Sequence, residues 1–153
     1  MNKPLIHGAL IAFGIIAPLL GAWSVHERRD NFSCQIQAVI VDENSAIDVS
    51  MNYTLRNGRG IYESSGEYRE KGKPPEAISN KITFNYWNES DKVIMVSNET
   101  NALPKKPQAF RDHTPDFFHR RDRGISLKIL PANDNSYLFL YDGLPVFFCS
   151  KSE

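Results

Sequence analysis

The stretch AIDVSMNYTL alternates without a fault: Ile47, Val49, Met51, Tyr53 and Leu55 are apolar, and Asp48, Ser50, Asn52 and Thr54 between them are polar. A period of two puts one set on each face of a strand, whereas a helix would scatter both sets around its circumference. ISNKITFNYW repeats the pattern through Ile78, Ile82, Phe84 and Tyr86, with Asn80 as a polar interruption, and GISLKIL adds Ile125, Leu127 and Ile129. CQIQAVIVD, KVIMVS and NSYLFLYDGLPVFFC are denser in apolar residues, which predicts strands covered on both sides. RNGRG, EKGKPPE, NES and PANDN separate these runs and carry turn chemistry. Only residues 26–33 and 104–121 have room for a helix without losing a strand. The expected fold is therefore mainly β, with six to eight short, mostly antiparallel strands. A small β-barrel, a curled sheet and a sandwich all satisfy the pattern.

Before the strands comes LIHGALIAFGIIAPLLGAWSV, residues 5–25, with no acid and no permanent cation. As a helix, Leu5 to Trp23 would reach about 28 Å at about 1.5 Å per residue, close to the apolar thickness of a bilayer. Trp23 suits an interfacial anchor, and Pro18 is better tolerated in a membrane helix than in a soluble core. The small residues Ala22 and Ser24 also fit a cleaved signal peptide. The expected organisation is a short cytoplasmic start and transmembrane helix over 1–25, a juxtamembrane linker over 26–31, and a β-domain over 32–153. Counting Lys and Arg around the run gives no clear orientation. The two cysteines both follow it, and disulfides persist outside the cytosol, so the expected location is the bacterial inner membrane, with the β-domain periplasmic.

Cys34 opens the first strand-like run and Cys149 closes the last. So wide a spacing matches no Cys-x-x-Cys redox motif, and no histidine pattern makes the pair a metal site. A structural disulfide between first and last strands is the simplest reading, worth about 4–5 kcal/mol by loop entropy. Two free buried cysteines are the alternative.

The sequence offers no candidate catalytic residue, cofactor site or metal site. No phosphate loop, nucleophile elbow or zinc-protease motif is present, and His113, Asp116 and His119 are spaced by three in an aperiodic stretch. Lys plus Arg equals Asp plus Glu at 18 each, which removes any electrostatic reason to expect direct nucleic-acid binding. Binding has better material. Residues 104–121 interleave cations, Arg120 and Arg121 among them, with Phe110, Phe117 and Phe118, a combination suited to a protein partner, an acidic small molecule or membrane headgroups. The competing reading has these phenylalanines tucked over one end of the β-domain. The inward faces predict a pocket lining that includes Met51, Tyr53, Phe84 and Tyr86.

NFSCQ after the apolar run, GRGIYESSGEY, ISNKITFNYW and YLFLYDGLPVFFCS together resemble the FidL-like family of small enterobacterial membrane proteins. More distantly, the layout is similar to ToxS- and VtrC-type periplasmic partners of membrane-bound transcription regulators. The resemblance implies an accessory inner-membrane protein, not an enzyme, whose β-domain binds and stabilises the regulator's periplasmic domain. It also allows a lipocalin-like barrel with a small amphipathic ligand at a shared interface. A stand-alone binder of small apolar ligands and an envelope assembly or chaperone-like factor are the alternatives.

Overall fold

The computed structural model describes residues 11–22, 31–101 and 114–152. The chain divides into two compact units, Met1–Asn31 and Phe32–Glu153. In the first, residues 11–22 form a helix, all of it exposed. Among the described residues no helix is long and apolar enough to cross a membrane. The two ends of the apolar run, residues 5–10 and 23–25, lie outside the described residues.

The second unit is a closed barrel of eight antiparallel strands in sequence order. They are β1 (Phe32–Val41), β2 (Ser45–Arg56), β3 (Arg59–Glu70), β4 (Glu76–Glu89), β5 (Lys92–Asn101), β6 (Gly124–Asn133), β7 (Ser136–Tyr141) and β8 (Leu144–Lys151). Each strand pairs with its sequence neighbour, and β8 returns to β1. Tight turns follow from local chemistry. Asn57-Gly58 and Asp142-Gly143 both take positive φ, the two-residue turn whose twist matches the strands it joins. The barrel has a lower end, where β1 begins and β8 ends, and an upper end, which carries the β1–β2, β3–β4 and β7–β8 turns and the β5–β6 connection.

The core is the inner face of the cylinder. Ile47, Val49, Met51, Tyr53 and Leu55 of β2 are all buried, as their alternation predicts. Asn80 does not interrupt β4: it is buried with Ile78, Ile82, Phe84 and Tyr86, so the inward series is unbroken. Inside, Tyr53 packs against Tyr62 in a tilted pair at 4.9 Å and meets Phe139 edge-on at 5.3 Å between ring centroids. β3 is the strand that periodicity does not announce. Its inward positions include Gly60 and Ser64 beside Tyr62 and Tyr68, so the apolar signal is diluted. Gly60 is required there, because a Cβ would stand 2.1 Å from the Phe84 ring.

The long connection between β5 and β6 supplies a plug. Asp116–Phe118 is one 3-10 turn whose two phenylalanines are buried. Phe117 packs edge-on against Phe84 at 5.6 Å, and Phe118 lies 4.9 Å from Tyr62. Polar contacts hold the turn: Asn80 Nδ2 donates to the Phe118 carbonyl at 3.2 Å, and Ser97 Oγ donates to the Arg120 carbonyl at 2.6 Å. Between residues 104 and 121 the described helix is thus a single turn.

Burial also sets an alkaline limit on the fold. Desolvation pushes the Tyr62 hydroxyl up to about 12 and raises Tyr53 well above its ordinary value. Both tyrosines keep their protons in the folded state after the unfolded chain has begun to lose them. Their contribution is complete below about pH 10 and is lost as pH rises toward 12. For Tyr62 alone this amounts to roughly 3 kcal/mol over the window. Urea midpoints measured from pH 8 to 11.5 should hold level and then fall beyond pH 10. A flat profile to pH 11.5 would place these hydroxyls in water.

Candidate interaction surface

The outer wall of the barrel is mostly wetted by polar pairs. Lys81 bridges to Glu63 at 2.8 Å across β4 and β3, Lys128 to Asp91 at 2.7 Å, and Gln35 Nε2 donates to Ser50 Oγ at 2.9 Å. One strip of the wall differs. Val39 and Val41 of β1 are 66% and 75% exposed, and Leu144, Val146 and Phe148 of β8 are 69%, 42% and 54% exposed. These belong to the dense apolar runs, for which the sequence predicts two covered faces. The structure corrects that expectation: their outer faces are bare, and their inward positions are fully buried only toward the lower end, at Cys34, Ile36 and Cys149, while Ile40 is itself exposed.

The strip flanks the seam where the barrel closes. The β1–β2 ladder runs the full strand, from Phe32↔Leu55 to Val41↔Ala46. The β1–β8 ladder has only Cys34↔Lys151 and Gln35↔Ser150. At this lower end the Cys34–Cys149 disulfide and a hydrogen bond from Ser152 N–H to the Ser33 carbonyl, 3.1 Å, clasp the two strands. Above the clasp, β1 and β8 share no ladder. Antiparallel geometry decides which backbone groups face the opening. The Ser33 carbonyl faces β8, and Asp42 N–H donates to the Ser45 carbonyl on the β2 side. Odd-numbered residues of β1 therefore aim their N–H and C=O at β8, which leaves Gln37, Val39 and Val41 aimed at the opening. On the other side, Ser150 pairs with Gln35 while Lys151 N–H donates to Asn135, so Phe148 also faces the opening. Pro145 and the irregularity at Phe139/Leu140 blunt the upper part of β8. β1 carries neither proline nor charge along its edge.

Of the other anticipated residues, Met51, Tyr53, Phe84 and Tyr86 do point inward, and the interior they face is occupied by the rings of Tyr62, Phe117 and Phe139. Phe117 and Phe118, only 1% and 8% exposed, are core residues and not surface anchors. Two adjacent aromatics on a short turn gain more by filling the barrel than by standing in water. Phe110 lies outside the described residues. Arg120 and Arg121 are exposed and pair with neighbouring acids, Asp116 at 3.3 Å and Asp122 at 3.6 Å. Among the described residues no cluster of His, Cys, Asp or Glu is arranged to hold a metal, and His113 lies outside them. A groove of about 480 Å3 opens beside the lower end of β8, lined by Asn133, Asn135, Phe148, Ser150 and Lys151.

These features define a small, disulfide-clasped antiparallel barrel with a plugged interior and an apolar strip along its seam. Residues 31–149 match the model for the YqeJ C-terminal domain, and the chain belongs to that family. Comparison with curated proteins returns no match.

Proposed function

We propose that this protein is an inner-membrane accessory factor whose barrel binds and stabilises the periplasmic domain of a membrane-bound transcription regulator. The observation that carries this reading is the apolar strip of Val39, Val41, Leu144, Val146 and Phe148, where exposed apolar side chains of the barrel wall gather, Ile61 and Trp87 standing apart on β3 and β4. Contiguous exposed apolar surface of this kind marks an interaction site. The nature of the partner is proposed from the layout's distant similarity to ToxS- and VtrC-type partners of membrane-bound transcription regulators. Residues 11–22 are apolar all round the helix, as a membrane segment is, and the span of 5–25 is proposed to be the anchor. Anchoring confines both proteins to one surface, so a modest interface is well occupied. A stand-alone binder of small apolar ligands has less to rest on, because the barrel interior holds side chains.

Two experiments test this proposal. Alkaline phosphatase fused after Glu153 should be active, and a fluorescent cytoplasmic reporter at the same point should be dark; the reverse pair of results rejects the periplasmic placement. A photo-crosslinker replacing Val146 in the native envelope should form one adduct whose mass spectrum identifies a membrane protein with a DNA-binding domain. A barrel that forms no adduct there rejects the partner.

A further inference from the structure

Resting on that reading, we infer that the opening above the clasp is a strand-acceptor site, filled by an extended, uncharged segment of the partner protein that pairs with the β1 edge. Three observations select this occupant. The groups of β1 that aim at the opening without a ladder partner on β8 are backbone donors and acceptors at Gln37, Val39 and Val41, spaced two residues apart. Only another extended backbone matches that spacing. The flanking side chains Val39, Val41, Val146 and Phe148 are apolar, and no charge stands among Gln37, Val39 and Val41. A complementary segment is therefore apolar or uncharged at the positions facing outward. Finally, the opening lies between two edges of the same barrel. A strand already built into the wall of a second copy has one free edge at most and would leave Phe148 uncovered, whereas a free segment has both edges to offer.

The topology adds a constraint. β1 and β8 run antiparallel, so one inserted strand is antiparallel to one edge and parallel to the other. The longer and unblunted edge is β1, from Ile36 to Val41, about six residues or roughly 20 Å of pairing. Antiparallel pairing is the more stable per residue, so the segment runs antiparallel to β1 and parallel to β8.

Amide exchange on the purified full chain in detergent micelles tests the edge. Gln37, Val39 and Val41 should exchange at least about tenfold faster than Ile36, Ala38 and Ile40, whose amides serve the β2 ladder. Equal protection of all six would overturn the proposal, because the edge would already be paired.

Backbone substitution tests the occupant, with the crosslinker at position 146 in the native envelope. Val39→Pro deletes a donor aimed at the opening without touching the β2 ladder, and Val41→Pro does the same one rung higher. Each should cut the adduct at least about tenfold, while Val39→Thr, which keeps the N–H, should leave it nearly unchanged. Each variant is compared only after its Cys34–Cys149 bond and thermal midpoint are shown to be intact. If proline and threonine variants behave alike, side chains carry the contact and strand addition is wrong, although the partner stands. An adduct between two copies of this chain overturns the choice of occupant. No adduct in the unsubstituted chain overturns the partner reading itself.

Discussion

Replacing Cys34 and Cys149 together with serine is expected to lower the stability of the barrel by about 2–5 kcal/mol. The bridge ties residues 115 positions apart, so breaking it returns a long loop's worth of freedom to the unfolded chain. Its local setting adds to the loss. Apart from the disulfide, closure rests on two ladder pairs and the hydrogen bond from Ser152 N–H to the Ser33 carbonyl, and Cys149 stands just past the point where that ladder stops. With serine at both positions, two hydroxyls would also lie in fully buried sites. Urea unfolding of the oxidised chain, the reduced chain and the double-serine variant should give one high midpoint and two lower ones. Equal midpoints would mean that the clasp contributes nothing, and two free thiols in the denatured, unreduced chain would mean that it is not formed.

Phe117→Ala is expected to cost about 3–5 kcal/mol, comparable to the disulfide, although the residue belongs to a loop. Its ring is almost fully buried and meets Phe84 at 5.6 Å and Phe118 at 5.1 Å. Removing it leaves a void under a plug whose backbone is pinned by Asn80 and Ser97 and is poorly placed to collapse. The thermal midpoint should fall by roughly 10–20 °C for a domain of this size. Arg121→Ala, exposed and beyond the end of the plug's helical turn, should change stability by no more than about 0.5 kcal/mol. A Phe117→Ala loss below about 1 kcal/mol would show that the plug does not sit in the barrel in solution.

The strands whose inward positions are uniformly apolar are legible from the sequence. β2 and β6 follow their alternation residue by residue, with Ile47 to Leu55 and Ile125 to Ile129 buried in turn. β3 is hidden because closure of a narrow barrel needs small residues where large ones face them. Gly60 yields to Phe84, and a Cβ on Gly66 would stand 2.0 Å from the Asp48 carbonyl. Spacing sees those positions as gaps. Asn80 escapes for a related reason: periodicity scores hydrophobicity, while its task is to hold the plug's carbonyl from inside. The candidate surface is half legible. The density of apolar residues in β1 and β8 is plain, but density alone does not separate a strand buried on both faces from one buried on a single face and bare on the other. The placement of Phe117 and Phe118 turns on which end of the barrel is open to receive them, which depends on strand order and not on the residues themselves.

The clasp also has a consequence for the order in which the molecule is made. A chain synthesised from its N-terminus can pair β1 with β2, then β2 with β3, and so on, each step needing only its neighbour. The closing cystine is different. Cys34 is among the first residues of the barrel to emerge, but its partner stands 115 positions later, in the last strand. The thiol of Cys34 must therefore wait, unpaired, until every other strand of the barrel has been made. A chain truncated anywhere before residue 149 retains a permanent free thiol and an uncovered first strand. The covalent bond thus acts as a certificate of completeness, written only on barrels whose last strand has arrived.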